Sequence, residues 1–379
     1  MKELCRKLGI DEAALNRAVQ DDLQKIPGVS AEGYEMIALA GGASIRGYAR
    51  LRLQRGPLPS LVLMILSDPD PAKGVEEVMA AGIIKELPFI NVHRHLAACG
   101  VPVPEIYFYN RERGLIYLED GGDTLLRRAA ESGDPVVMRE QFEKAVRELV
   151  KIQVDCSGKE NPDFLGFHVR FDRKLLMWEL DHFTEFAIRN RFPQALSAEE
   201  EAQIKAHYEA ITDELMAGPY ALQHRDYHMD NLLLKNGRIM VIDFQDALMG
   251  PLTYDLACFL YDRDTSALLG KELIEHLVDY YGDELAKRSG QAIDRAALRR
   301  NFELCVIHRM LKVVGRFHFI VQVKKRPEYL RFNRYMMPVI ADYLSRRPRT
   351  SELLGIITRR LPEIRPYVAS PGWKFAREV

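Results

Sequence analysis

With 379 residues, 47% hydrophobic and 28% charged, the chain is long enough to bury two separate cores and has the composition of a soluble globular protein. Its 53 Lys and Arg against 54 Asp and Glu leave a formal charge of -1, so no global field recruits nucleic acid or an anionic membrane, and any charge selectivity has to be local. The start Met1-Lys2-Glu3-Leu4-Cys5 lacks the apolar run of a secretion signal, no stretch approaches a membrane span, and scattered cysteines without Cys-x-x-Cys spacing lead us to expect a cytoplasmic protein with neither a disulfide framework nor a zinc site.

Residues 1–30 form a predicted helical extension, in which Leu4, Leu8, Leu15, Val19 and Leu23 recur at helical spacing until Pro27-Gly28 ends the run. From Tyr34 the pattern shortens to β-type runs over 36–39, 48–53 and 61–66, separated by Ala40-Gly41-Gly42-Ala43-Ser44 and by Gly56-Pro57. This is an antiparallel meander, and glycines in its first turn allow backbone N–H groups to approach phosphates. A helical stretch over 75–99, broken at Pro88, precedes the extended Val101-Pro102-Val103-Pro104 and two short strands over 105–109 and 115–118. After Glu119-Asp120-Gly121-Gly122-Asp123 the composition turns helical, with candidate helices over 142–154, 175–189, 198–215, 267–281 and 295–323, and more helix to about Leu361. The expected organisation is α+β: the extension over 1–30, a small sheet lobe over 31–119 and a helical lobe over 120–379.

One stretch, Leu222 to Asp255, interrupts the helical half. There LLLK and RIMVI flank Asn236-Gly237, the dipeptide that supplies both positive-φ residues of a type I′ hairpin turn. A two-residue turn sets Lys235 opposite Arg238 and Leu233 opposite Met240, which brings Asn231 beside Ile242 and Asp243. Asp226 lies on the loop that feeds the same end. Two aspartates and an asparagine gathered this way are hard oxygen donors, suited to Mg²⁺ and a phosphate-bearing substrate. A rival arrangement places His224, Asp226, His228 and Asp230 on one face of a strand, as a metal hydrolase would.

His224-Arg225-Asp226 with Asn231, followed by Ile242-Asp243-Phe244, resembles the protein-kinase-like superfamily, and this implies a two-lobed fold with nucleotide held between the lobes. Asp243–Ala247 and Gly250–Leu256 are similar to its aminoglycoside phosphotransferase branch. With no Ala-Pro-Glu element and no long activation segment, a protein substrate is not expected. Gly41–Tyr48, Phe171–Leu180 and Arg309–Phe317 are similar to the bacterial amino-sugar kinases of peptidoglycan recycling, which phosphorylate the anomeric hydroxyl of N-acetylmuramate and N-acetylglucosamine.

The resemblance implies ATP as donor, Asp226 as catalytic base, Asn231 and Asp243 as Mg²⁺ ligands, and His224 as a brace for the loop backbone. Gly41, Gly42, Ser44, Arg46 and Glu119 are expected at the nucleotide. Asp255, which opens an apolar helix, is expected to cap it. One position departs from the pattern: Met64 stands in the strand where a typical member carries the phosphate-holding lysine, and Arg46, Arg50 and Lys85 are the candidates to supply the cation instead.

For the acceptor, Asp172, Arg173 and Glu179 are candidates to meet sugar hydroxyls, against the plain alternative of a solvated helix face. Arg309, Lys312 and Arg316 share one helical face and are candidates to receive a substrate carboxylate, against a basic surface stripe. Other readings are a kinase for aminoglycosides, choline or another small alcohol, and a catalytically inactive nucleotide-binding module motivated by Met64.

Overall fold

The computed structural model describes residues 1–39, 46–68, 86–192 and 196–369. Gly41, Gly42, Ser44 and Lys85 therefore lie outside the described residues.

The extension is two helices, α1 (Lys2–Leu8) and α2 (Glu12–Leu23), because Gly9 takes φ 69 and Asp11 caps the second by accepting from the Ala14 N–H. They are followed by β1 (Tyr34–Ala38), β2 (Gly47–Leu53) and β3 (Ser60–Ile65), then α3 (Pro88–Ala98), β4 (Ile106–Asn110) and β5 (Leu115–Glu119). The five strands form one antiparallel sheet in the order β1-β2-β3-β5-β4. Pro88 stands at the first helical position of α3, where its missing N–H costs nothing, and residues 75–85 of the expected helical stretch lie outside the described residues.

Alternation along β3 divides the sheet's two faces. Leu61, Leu63 and Ile65 join Leu15, Val19 and Leu23 of α2 in a core on the outer face. Met64 packs with Ile116 and Leu118 on the inner face, in the core shared with α3 and the helical lobe. The extension thus covers apolar sheet surface that would otherwise meet water. Its one buried charge, Asp22, accepts from Asn110 Nδ2 at 2.9 Å and Tyr117 Oη at 3.1 Å, tying α2 to β4 and β5.

The helical half contains α4 (Arg127–Glu131), α5 (Pro135–Lys151), α6 (Leu165–His168), α7 (Arg173–His182) and α8 (Ala198–Ala217). Then come β6 (Tyr220–Gln223), β7 (Leu232–Lys235), β8 (Arg238–Val241) and β9 (Leu248–Pro251), and α9 (Tyr254–Tyr261), α10 (Thr265–Ser289), α11 (Arg295–Lys324), α12 (Asn333–Ser345), α13 (Pro348–Arg360) and α14 (Arg365–Ala369). The β7–β8 hairpin has the expected register, with Asn236 at φ 51 and Gly237 at φ 75. The β6–β9 pair was not anticipated; its strands are four residues each and separated by the hairpin, too short for a periodic signal.

Helix α11 is buried on nearly every side from Phe302 to Val314, so it runs through the lobe rather than across its surface. A Cβ on Gly315 would lie 2.5 Å from the Phe183 backbone nitrogen. The absent side chain is what allows α11 and the end of α7 to touch backbone to backbone. Among the described residues no helix is long and apolar enough to cross a membrane.

Candidate active site

Beyond β6 the chain enters a loop whose backbone is held from below. The N–H groups of His224 and Arg225 donate to the Asp255 carboxylate at 2.5 and 3.0 Å, while the Asp255 N–H donates to Gln223 Oε1 at 3.0 Å. Asp255 is therefore not the helix cap expected of it: it sits in the first turn of α9 and uses its carboxylate on the loop. Arg225 takes φ 78, which ends any strand-like alternation. The hydrolase arrangement fails on that kink. Among the described residues no group of three or more His, Cys, Asp or Glu could hold a metal.

His224 Nε2 lies 2.9 Å from the Ile242 carbonyl, which can only accept, so that nitrogen carries the proton. The contact joins the loop to the residue before Asp243. Tyr227 is fully buried and donates to the Ala145 carbonyl at 2.7 Å, pinning the loop to α5. Asn231 Nδ2 donates to the Asp226 carbonyl at 2.9 Å, and the Ile242 N–H donates to the Asn231 carbonyl at 3.0 Å. Asp226, Asn231 and Asp243 are thus gathered at the open end of the hairpin. Asp243 adopts φ 63, and its Oδ1 accepts from Gln245 Nε2 at 3.0 Å. Phe244 is buried and stacks on Phe89 of α3 at 5.0 Å, so this segment also grips the sheet lobe.

Arg309 corrects the expectation most strongly. It is 2% exposed, neither a surface stripe nor a group open to a substrate. Its Nη1 donates to the Arg225 carbonyl at 2.9 Å and to Tyr254 Oη at 3.2 Å, and its Nη2 donates to Asp226 Oδ1 at 3.1 Å and Asp262 Oδ2 at 3.0 Å. Burial of the surroundings would raise the Asp226 carboxyl. Arg309, Lys312, His228 and Arg225 outweigh it and hold that carboxyl well below the usual carboxylate range. With Oδ1 taken by Arg309, the half-exposed Asp226 side chain opens to the cleft through Oδ2.

Glu179 also turns out to be internal, and Lys312, at the edge of the cleft, is tied to it. Glu179 is fully buried, paired with Lys312 Nζ at 2.9 Å, and within 3.6 Å of the Arg225 guanidinium. Burial pushes its carboxyl up, but Lys312, His308 and Arg225 bring it below the ordinary value. Lys312 also donates to Tyr254 Oη at 3.1 Å. Asp172 is the N-cap of α7, accepting from the Leu175 N–H at 2.8 Å, and Arg173 pairs with Asp213 on the surface. Neither lines the cleft.

At the lobe junction, Lys235 of the hairpin donates to Glu119 Oε1 at 2.6 Å and to the Asp120 carbonyl at 2.7 Å. Arg50 is bidentate on Asp120, at 2.7 and 3.0 Å, and also pairs with Asp123 at 2.8 Å. It ties the sheet to the junction and is no candidate for phosphates. Met64 is fully buried, while Arg46 lines the cleft near Tyr48 and Asp246, where burial raises both groups and the guanidinium partly opposes it.

Sequence reasoning left Asp230 unassigned and missed its partners. Asp230 receives Arg127 at 2.5 and 2.9 Å and Arg263 at 2.7 Å, and Arg127 also holds Asp264 at 3.0 Å. With Asp262 and Arg309 these form alternating charges that run to Asp226. The run Asp262-Arg263-Asp264 directly after an apolar helix was the available signal.

A cleft of about 1630 Å³ lies between the lobes, lined by Leu118–Asp123 on one side and by Asp226, Asn231 and Asp243 on the other. A sheet lobe over a helical lobe, with two acids and an amide facing such a cleft, defines a phosphotransferase of kinase-like fold. The chain belongs to the phosphotransferase enzyme family, whose model matches residues 35–299. An N-acetylmuramate/N-acetylglucosamine kinase of Pseudomonas aeruginosa is 30% identical over 335 residues, covering 87% of this chain and 89% of that protein. One of Neisseria meningitidis serogroup B is 29% identical over 268 residues, covering 68% and 76%. Among solved structures, an amicoumacin kinase in complex with AMP-PNP and Ca²⁺ superposes with a TM-score of 0.56 at 13% identity, covering 89% of this chain and 95% of that one. That likeness bears on the fold.

Proposed function

We propose that the protein is an ATP-dependent kinase that transfers the γ-phosphoryl group to a sugar hydroxyl, the anomeric hydroxyl of N-acetylmuramate or N-acetylglucosamine, in peptidoglycan recycling in the cytoplasm. The observation that carries this reading is Asp226, held by Arg309 on one oxygen and open to the cleft on the other, beside Asn231 and Asp243.

In this reading the acceptor hydroxyl donates to Asp226 Oδ2. Its oxygen bonds to the γ-phosphorus as the bond from that phosphorus to the β–γ bridging oxygen breaks. A carboxylate kept so acidic is a weak base, so Asp226 mainly orients the hydroxyl and takes its proton late, as a loose transition state allows. A hemiacetal hydroxyl, more acidic than an ordinary alcohol, suits such a base.

Asn231 and Asp243 fit a magnesium ion. The Asn231 amide nitrogen is engaged with the Asp226 carbonyl, which leaves its Oδ1 as a donor, and Asp243 is exposed to the cleft. Two protein oxygens, with phosphates and water for the rest, suit the coordination habit of Mg²⁺. Mg²⁺ held there would neutralise charge developing on the phosphates. Arg46 is the cation we assign to the phosphates from the sheet lobe, and the backbone at Glu119 is assigned to the adenine edge.

Choline and aminoglycosides are the competing acceptors; Arg316, Lys324, Arg331 and Arg334 line the cleft together with acidic side chains, and a cationic acceptor is disfavoured only where it would lie beside those four. ATP consumption measured with N-acetylmuramate, N-acetylglucosamine, choline and an aminoglycoside tests the assignment. Turnover is expected on the amino sugars, with a loss of about 10²–10⁴-fold in Asp226→Asn. Full turnover in that variant overturns the mechanism.

A further inference from the structure

We infer that Trp178 is the platform on which the pyranose ring of the acceptor lies, and so a specificity-determining residue. The inference deepens the sugar-kinase reading and rests on it. Trp178 is 45% exposed, and among the described residues it is the one aromatic among the large exposed hydrophobics. It lines the same cleft as Asp226 rather than the outer surface. Leaving an indole in water forgoes the gain of covering it, and a planar amphipathic ring of that size is a natural contact for a ligand with one apolar face.

The indole is held in place. His182 meets it at 4.2 Å with the planes at 65°, and is itself backed by Phe186 at 5.4 Å. Helix α7 is fixed at its start by the Asp172 cap and at its end by the close approach of Gly315. The next residue, Glu179, is clamped by Lys312 and touches Tyr254 Oη at 3.3 Å, and that hydroxyl receives Arg309, which holds Asp226. Platform and base are thus linked through a short run of buried side chains.

The chemistry of the occupant follows from the neighbours. A pyranose presents a face of C–H bonds to an indole and keeps its hydroxyls for the polar wall. A quaternary ammonium would also favour an indole face; Arg316 lines the same cleft and disfavours a cation beside it, and titration with choline separates the two occupants. The adenine belongs at the other end, along the lobe junction.

Trp373 is the chain's other tryptophan, so a Trp373→Phe background leaves Trp178 as the sole indole. In it, Trp178 emission is expected to change on titration with N-acetylglucosamine and not with ADP alone or choline. In kinetics, Trp178→Ala is expected to raise the acceptor KM about tenfold or more while the ATP KM stays within about twofold, and Trp178→Phe recovers most of the loss. Continued sugar turnover with an unchanged acceptor KM and sugar-insensitive emission overturns the platform alone. An emission response and turnover with choline instead of sugar overturns it in favour of a cation site. Turnover of neither amino sugar by the parent enzyme overturns the sugar-kinase reading, and the platform falls with it.

Discussion

Replacing Arg309 separates positioning from packing. The guanidinium makes four hydrogen bonds, to the Arg225 carbonyl, Tyr254, Asp226 and Asp262, and Asp262 is itself only 5% exposed. Arg309→Met leaves that buried carboxylate with Arg263 at 3.6 Å as its remaining arginine contact, so a loss of about 3–5 kcal/mol of stability is expected, the usual cost of breaking a buried pair from one side. Arg309→Lys keeps the charge, but one ammonium cannot reproduce the fork that reaches Asp226 and Asp262 while also holding the Arg225 carbonyl. The lysine variant should therefore stay folded, with kcat lowered about tenfold or more and the ATP KM little changed, since orientation of a base is worth about 10²–10⁴-fold. Denaturant unfolding and steady-state kinetics on the three proteins, with Asp262→Asn as a control that keeps Arg309 on Asp226, provide the measurements. A folded Arg309→Lys enzyme with kcat indistinguishable from the parent would refute the positioning role and leave Arg309 as packing.

Glu179→Gln should destabilise the helical lobe by about 3–5 kcal/mol at neutral pH, because Lys312 loses its buried partner. Since the Glu179 carboxyl is held below its ordinary value, its stabilisation is fully present above the unfolded value, about 4.3, and is lost as pH falls below it; thermal denaturation of parent and variant should show a constant gap from pH 8 to 5 that narrows only in stronger acid. Arg46→Ala should raise the ATP KM about tenfold or more without a comparable change for the acceptor, as expected when a charged contact to phosphate is lost; equal effects on both substrates would point to a structural role.

The local geometry of the site was legible because short-range chemistry controls it. A two-residue turn leaves the β7–β8 hairpin one register, so Asn231 and Asp243 could be brought together from residue order alone. The alternation of β3 similarly places Met64 on the cleft side. What could not be read were partners far along the chain. Arg309 and Lys312 looked like an exposed stripe because long charged side chains usually are, and only the packing of α11 through the lobe turns them beneath Asp226. Asp255 looked like a cap because it begins an apolar helix, whereas its partners are the backbone N–H groups of His224 and Arg225. Arg50 reads in the sequence as available for phosphate, whereas the sheet lays it against Asp120 and Asp123.

The central claim is phosphoryl transfer to the anomeric oxygen of an amino sugar. Incubation of the enzyme with ATP, Mg²⁺ and N-acetylmuramate or N-acetylglucosamine, followed by phosphorus NMR of the product, measures it directly. The account predicts sugar-dependent ADP in equimolar yield with a product whose phosphorus couples to the anomeric proton. Phosphorus on any other hydroxyl, or ADP release that ignores the sugar, would contradict it.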